Sequence, residues 1–96
     1  MSIQLTLIGK PGCHLCDEAR DAIDGVLLEF RKANPGIGVD VEELNILEDE
    51  ALRLKYTEEI PVLLIDGKMH NYWRIDDERL MRALYAKANN QERGLG

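Results

Sequence analysis

Apolar residues recur at every second position in two short segments of the chain, which predicts β-strands at Ile3–Ile8 and Ile37–Val41. In the first segment, three apolar side chains point to one face and Ile8 points to the other, so we expect a central strand rather than an edge strand. Val62–Ile65 is a continuous apolar run, which is typical of a buried strand. The segment Leu44–Ile46 fits either an extension of the second strand or the loop that follows it.

A two-residue turn follows the buried strand. Asp66-Gly67 is a strong sequence signal for a β-hairpin, because both residues tolerate the positive φ angles that such a turn needs. The segment Lys68–Trp73 is therefore predicted to return as an antiparallel strand.

Apolar residues spaced by three and four positions mark the helices. The longest helix begins near Leu15 and ends before Asn34-Pro35-Gly36. Its apolar face consists of Leu15, Ala19, Ala22, Ile23, Val26, Leu27 and Phe30. Glu48–Tyr56 predicts a short second helix, and we expect its apolar face to consist of Leu47, Ala51 and Leu54.

The last helix is predicted to begin at Asp76, a residue type that often caps helix N-termini. Ile75 is placed to pack on Leu80 as a hydrophobic staple. Apolar positions at helical spacing continue to Ala88. The polar segment 89–96 is predicted to be a flexible tail.

The predicted order of elements is strand, helix, strand, helix, strand, strand, helix, in a single domain that spans residues 1–96. Two strands joined by a helix of this length favour parallel pairing and a right-handed crossover. The hairpin at the end adds antiparallel pairing. The sequence therefore predicts an α/β fold with a four-stranded mixed sheet and helices on its faces.

Charge and composition narrow the possible partners. Twelve lysine and arginine residues stand against eighteen aspartate and glutamate residues, so the formal charge is −6. This charge argues against a nucleic-acid partner, because phosphate binding depends on basic residues. No apolar run approaches the roughly 20 residues that span a membrane, and no signal-peptide core precedes the first strand. We therefore expect a cytoplasmic monomer without a membrane partner.

Both cysteines of the chain, Cys13 and Cys16, follow the glycine- and proline-containing break after the first strand, and the pair opens the first helix. In a cytoplasmic protein, such a pair is more often catalytic or metal-binding than a structural disulfide. The N-terminus of a helix stabilises a thiolate, and Lys10 and a protonated His14 would add positive charge. Thiol–disulfide exchange is therefore the leading hypothesis for the function.

Three parts of the sequence together resemble the small glutaredoxin-like proteins of the thioredoxin fold. They are the segment Lys10–Ala19, which holds both cysteines, the segment Ile60-Pro61-Val62 and the segment Ile65-Asp66-Gly67. The resemblance covers about residues 3–88. It implies the minimal glutaredoxin-like order βαβαββα, with three helices, strand order 2-1-3-4, and a third strand antiparallel to the first.

The resemblance also implies roles for individual residues. Cys13 would be the exposed cysteine that attacks a disulfide, and Cys16 would be the resolving cysteine. Pro61 would follow a cis peptide bond and lie against the dithiol. The backbone of Ile60 would then be available to pair with the main chain of a disulfide substrate. The expected substrates are protein disulfides or low-molecular-weight disulfides.

The sequence departs from the glutaredoxin pattern at two places. His14-Leu15 stands between the cysteines, where glutaredoxins usually carry a tyrosine. A Gly-Gly-Asp-like element that holds the γ-glutamyl end of glutathione is replaced by bulky residues within Asn71–Asp77. Lys10 could still bind the glycine carboxylate of glutathione. We therefore expect no resident cofactor, and we expect glutathione, a candidate co-substrate beside other low-molecular-weight thiols, to bind weakly.

Other functions for the cysteine pair stay open. The two residues could be buried apolar side chains in a redox-inert binding module that kept the fold. They could also bind a metal ion through their thiolates. A structural zinc site needs about four ligands, and the only histidines, His14 and His70, do not have suitable spacing. We therefore predict no metal site.

Overall fold

The computed structural model describes residues 2–93, with side chains to residue 89. The strands are β1 (Ser2–Gly9), β2 (Gly38–Asn45), β3 (Val62–Ile65) and β4 (Lys68–Tyr72). The helices are α1 (His14–Ala33), α2 (Glu50–Tyr56) and α3 (Asp77–Arg93), and a 3₁₀ turn at Ile46–Glu48 precedes α2. The predicted order βαβαββα and the predicted α/β class are confirmed.

The four strands form one mixed sheet in the order β2-β1-β3-β4, as predicted. β1 pairs in parallel with β2 and antiparallel with β3, and β3 pairs antiparallel with β4. β2 pairs with β1 along its whole length, from Gly38 to Asn45, and this pairing extends the strand beyond its predicted end at Val41. The carboxyl end of β1 therefore lies in the interior of the sheet, directly before the segment Lys10–Cys16 (the cysteine turn), which contains the turn after β1 and the first residues of α1.

The alternation in β1 separates two apolar clusters, as its pattern predicted. Ile3, Leu5 and Leu7 belong to the larger cluster, which α1 and α3 complete. Ile8 belongs to a smaller cluster with Ile46, Tyr56 and Val62. The smaller cluster is formed by side chains from the end of β1, the 3₁₀ turn, α2 and the start of β3.

The predicted apolar face of the second helix is wrong. Leu54 is 71% exposed, and Leu47 and Ala51 are also exposed. The 3₁₀ turn changes the rotation between Leu47 and the helix, which begins only after its N-cap residue Asp49. The helix instead packs Leu52 and Tyr56 against the smaller cluster, because the position of the cluster decides which face is buried.

The start of the last helix agrees with its prediction. The Oδ1 atom of Asp76 accepts a hydrogen bond from the backbone N–H of Arg79 at 3.1 Å, and Ile75 packs against the cluster that contains Leu80. The helix continues to Arg93, beyond its predicted end at Ala88. The end of the predicted flexible tail, residues 94–96, lies outside the described residues. Within residues 2–93, no helix has the length and apolar character to span a bilayer.

Candidate functional site

The turn after β1 places Cys13 at the N-terminus of α1. Gly12 takes a positive φ of 75°, which glycine adopts without a steric penalty. Cys13 is the N-cap residue, and its Sγ atom accepts a hydrogen bond from the backbone N–H of Cys16 at 3.1 Å. A sulfur at this position lies against N–H groups that have no partner within the helix. The structure therefore places Cys13 at the N-terminus of a helix, as the sequence predicted.

The two cysteines are joined by a disulfide bond, with their Cα atoms 5.2 Å apart. Their environments differ. Cys13 is partly exposed, whereas Cys16 is only 2% exposed. This asymmetry fits the predicted roles, in which an external disulfide reaches Cys13 and Cys16 acts only within the protein.

Gly9, the last residue of β1, lies directly against the buried cysteine. A Cβ atom at Gly9 would lie 2.8 Å from Cys16 Sγ and 3.2 Å from Cys16 Cβ. The first of these distances is too short for any side chain. Glycine is therefore required here by the close approach of the strand to Cys16.

We expect Gly9→Ala to lower the free energy of unfolding by about 1–3 kcal/mol, because the added methyl group must displace Cys16 or the start of α1. Gly25→Ala is the matched control. Apart from the backbone of α1 itself, no atom of the described residues lies within 4 Å of a Cβ atom at Gly25, so alanine there should stabilise by roughly 0.5–1 kcal/mol. Urea unfolding of both variants measures the difference, and equal stabilities would contradict the steric argument.

The segment before β3 is held by Trp73. The Ile60–Pro61 peptide bond is cis, as the resemblance implied, and the Pro61 side chain is buried. The backbone N–H of Trp73 donates to the Pro61 carbonyl at 2.8 Å, and its indole Nε1 donates to the Glu58 carbonyl at 3.0 Å. The Ile60 N–H donates to the Tyr56 carbonyl at 3.1 Å. The Ile60 N–H is therefore already used, and the Ile60 carbonyl is the group that would pair with the main chain of a substrate.

Trp73 and Tyr72 form one wall of a groove beside the dithiol. Their rings pack edge to face with centroids 5.1 Å apart, and Trp73 remains 54% exposed. Leu15, which lies between the two cysteines, and Ile60 line the same groove, whose volume is about 480 Å³. Tyr72 and Trp73 are therefore surface residues next to the cysteine turn.

A second cavity, of about 320 Å³, opens on the other side of the turn and reaches Cys16. Lys10, Asp17, Arg20 and Glu43 also line it. Arg20 donates to Glu43 Oε1 from Nε at 2.8 Å and to Asp17 Oδ1 from Nη1 at 2.9 Å. The hydrogen bond to Glu43 has the largest effect on the pKa of Arg20 and raises it. The hydrogen bond to Asp17 raises this pKa further, so the guanidinium stays charged.

Within the described residues, neither histidine forms a hydrogen bond with a cysteine sulfur. The His14 side chain is 89% exposed, and its Nε2 is 3.9 Å from a Glu18 carboxylate oxygen. His70 lies on β4, where its Nε2 is buried without a partner in the described part of the chain. Burial is the main cause that lowers the pKa of His70, and the positive charge of Arg79 lowers it further. Among residues 2–93, no three His, Cys, Asp or Glu side chains are grouped to hold a metal ion.

The structure thus divides the predicted site residues between two sides of the cysteine turn. Lys10 lines the cavity that reaches Cys16, whereas Ile60 lines the groove that reaches Leu15. Arg20 was not expected at the site. Its spacing from Asp17 is visible in the sequence, but its contact with Glu43 joins residues 23 positions apart and depends on the pairing of β2 with β1.

Comparisons with known proteins agree with this geometry. The family described as glutaredoxin-like domain (DUF836) matches residues 4–85. An uncharacterised protein of Mycobacterium bovis, Mb0520, is 30% identical over 77 residues, which are 80% of this chain and 77% of the relative. The X-ray structure of XcR50 from X. campestris superposes with a TM-score of 0.65 at 30% identity, covering 85% of this chain and 96% of the other.

A more distant structure identifies the fold. Oxidised mitochondrial thioredoxin 3 from Saccharomyces cerevisiae superposes with a TM-score of 0.53, covering 88% of this chain and 77% of the other. At 13% identity this similarity shows the fold alone. With the family match over most of its length and a cysteine pair at the start of α1, the chain belongs to the glutaredoxin-like domain family and has a thioredoxin-like fold.

Proposed function

We propose that the protein is a cytoplasmic thiol–disulfide oxidoreductase that reduces protein or low-molecular-weight disulfides with Cys13 and Cys16. The observation that carries the proposal is the position of Cys13, which caps α1 and whose sulfur accepts the Cys16 N–H. The partial exposure of Cys13 and the burial of Cys16 support an attacking and a resolving role.

The exchange proceeds in two balanced steps. The Cys13 thiolate attacks a substrate disulfide, forms a mixed disulfide and releases one substrate thiolate. The Cys16 thiolate then attacks Cys13 Sγ, forms the Cys13–Cys16 disulfide seen in the structure and releases the second substrate thiolate. The two protons of the dithiol pass through solvent to the released thiolates, and two electrons pass to the substrate. A thiol reductant regenerates the dithiol.

The helix N-terminus acts chiefly on the thiolate as a leaving group. A free thiol with a pKa near 8.5 is roughly 3% ionised at pH 7, and one with a pKa of about 6.5 is roughly 75% ionised. Much of this gain is offset, because nucleophilicity falls with pKa at a Brønsted slope of about 0.4–0.5. The net gain in attack is about a few-fold. The remaining benefit is faster departure of Cys13 and a more stable reduced form.

The groove beside Leu15 supports a protein disulfide as the substrate in preference to a glutathione mixed disulfide. Tyr72 and Trp73 stand in the region where the glutaredoxin pattern has glycines, and Trp73 is hydrogen-bonded there through both its backbone and its indole. An exposed apolar wall suits the side chains that flank a cysteine in a polypeptide. The γ-glutamyl end of glutathione carries two charges and gains little from such a wall.

An acid-trapped thiol count tests the proposal. We expect the reduced protein to show two thiols, to lose both on mild oxidation while remaining a monomer, and to regain both with a dithiol reductant. The reduced protein should also reduce insulin disulfides in amounts that match the thiols lost. Thiols that do not react would favour a redox-inert binding module. Thiols protected only when zinc is added would favour a metal-binding protein.

A further inference from the structure

Arg20 joins the first turn of α1 to the end of β2 beside the dithiol. Its guanidinium contacts the Asp17 carboxylate at 2.9 Å on its own helix and the Glu43 carboxylate at 2.7 Å on the neighbouring strand. These three side chains and Cys16 line the same cavity. The guanidinium is therefore positioned to act on the charge around the cysteines, although it contacts neither sulfur.

Asp17 is the acidic residue in the first turn of α1. It follows Cys16 directly, and its backbone N–H donates to the Cys13 carbonyl at 3.1 Å, one helical turn away. This hydrogen bond spans one helical turn, which rises about 5.4 Å, so the two residues are neighbours at the N-terminus of α1. An unpaired carboxylate at this position would repel the negative charge on Cys13 and offset part of the benefit of the helix N-terminus.

We propose that Arg20 is a positioning residue for the dithiol: it holds Asp17 toward β2 and neutralises its charge, so that the Cys13 thiolate forms without an opposing carboxylate. The cavity side of the turn then carries two positive charges, Lys10 and Arg20, and two negative charges, Asp17 and Glu43. Removal of Arg20 would leave a net negative charge next to the sulfur atoms. The benefit to catalysis rests on the proposed function, but the electrostatic effect does not require turnover.

The other charged side chains near the cysteines are unchanged in all the variants that test this proposal. They lie on α1, in the segment before β3 and after β4, and are His14, Glu18, Glu58 and Arg74. Each is present in the parent protein and in every variant proposed below. A change in the Cys13 pKa between variants therefore reports Arg20 and its two partners.

The test measures the Cys13 pKa in a Cys16→Ser background, where only one thiol titrates, from the pH dependence of alkylation by iodoacetamide. Arg20→Gln is expected to raise the pKa of Cys13 by about half a unit to two units, because it removes the positive charge that offsets the Asp17 carboxylate at the helix N-terminus. Arg20→Lys should retain most of the parent value. Adding Asp17→Asn to Arg20→Gln should return the pKa towards the parent value.

Arg31→Gln is the matched control, because Arg31 also links α1 to β2, through a 2.7 Å hydrogen bond to the Val39 carbonyl at the far end of the helix. It should leave the Cys13 pKa unchanged. An unchanged pKa in Arg20→Gln, an equal rise in Arg31→Gln, or no recovery on adding Asp17→Asn would each overturn the inference. Inactivity of the parent towards disulfides, with the pKa shifts as expected, would overturn the proposed function and leave the role of Arg20 intact.

Discussion

Cys16→Ser is expected to accumulate a stable mixed disulfide when the reduced protein meets a small disulfide, and Cys13→Ser is expected to form none. The partly exposed Cys13 can reach an external disulfide, and without Cys16 the resulting bond has no internal thiol to break it. In Cys13→Ser the remaining thiol is 2% exposed, so an external disulfide reaches it poorly. Turnover with a protein disulfide should fall to the uncatalysed background in Cys13→Ser.

Intact-mass measurement after acid quenching detects the adduct directly. Asp24→Ser, on the exposed face of α1, is the control for introducing a serine and should retain parental turnover. Equal trapping by both cysteine variants would show that the two sulfurs are equally accessible and that the assigned roles are wrong. Trapping by Cys13→Ser alone would reverse the roles.

The parts of the site that were predictable from sequence depend on local patterns. The alternation in Ile3–Ile8, the turn residues after it and the apolar stripe from Leu15 identify a strand, a turn and a helix, and the order of those elements places Cys13 at a helix N-terminus. The Asp66-Gly67 hairpin follows from the positive φ of both residues, which are 50° and 83° in the structure. The cis bond before Pro61 came from the family resemblance.

The remaining parts depend on tertiary contacts that no local pattern encodes. From the sequence alone, Gly9 is predicted only to end the first strand. Its closeness to Cys16 becomes visible only when α1 is docked on β1. The sequence does not indicate a partner for Arg20 on another element. Only the pairing of β2 with β1 brings Glu43 beside it. Trp73 has a positive φ of 64°, a conformation uncommon for a large side chain, and its two hydrogen bonds to the segment before β3 hold it there.

Glutathione is expected to be a poor co-substrate, because we propose that Trp73 occupies the place where the γ-glutamyl end of glutathione would need to approach the backbone closely. The Oδ1 atom of the nearby Asp76 already accepts the Arg79 N–H at the start of α3. Each unmade charge-assisted hydrogen bond costs about 1.5–3 kcal/mol, roughly 10- to 150-fold in affinity. In a glutathione-coupled reduction of a small mixed disulfide, the parent should therefore turn over at least about tenfold more slowly than an authentic glutaredoxin.

Trp73→Gly should raise the glutathione-coupled rate by about tenfold or more, because glycine adopts the positive φ at this position without strain and removes the side chain from the groove. Trp73→Phe is the matched control. It keeps an aromatic ring in the groove and loses only the indole hydrogen bond to the Glu58 carbonyl, so its glutathione rate should stay low. Assays of the same three proteins with insulin separate the two substrates, and there Trp73→Gly should be the slowest, because it loses the exposed apolar wall. A parental glutathione rate within a few-fold of the glutaredoxin control, or equal rates for the glycine and phenylalanine variants, would show that the bulk of Trp73 does not decide between the substrates.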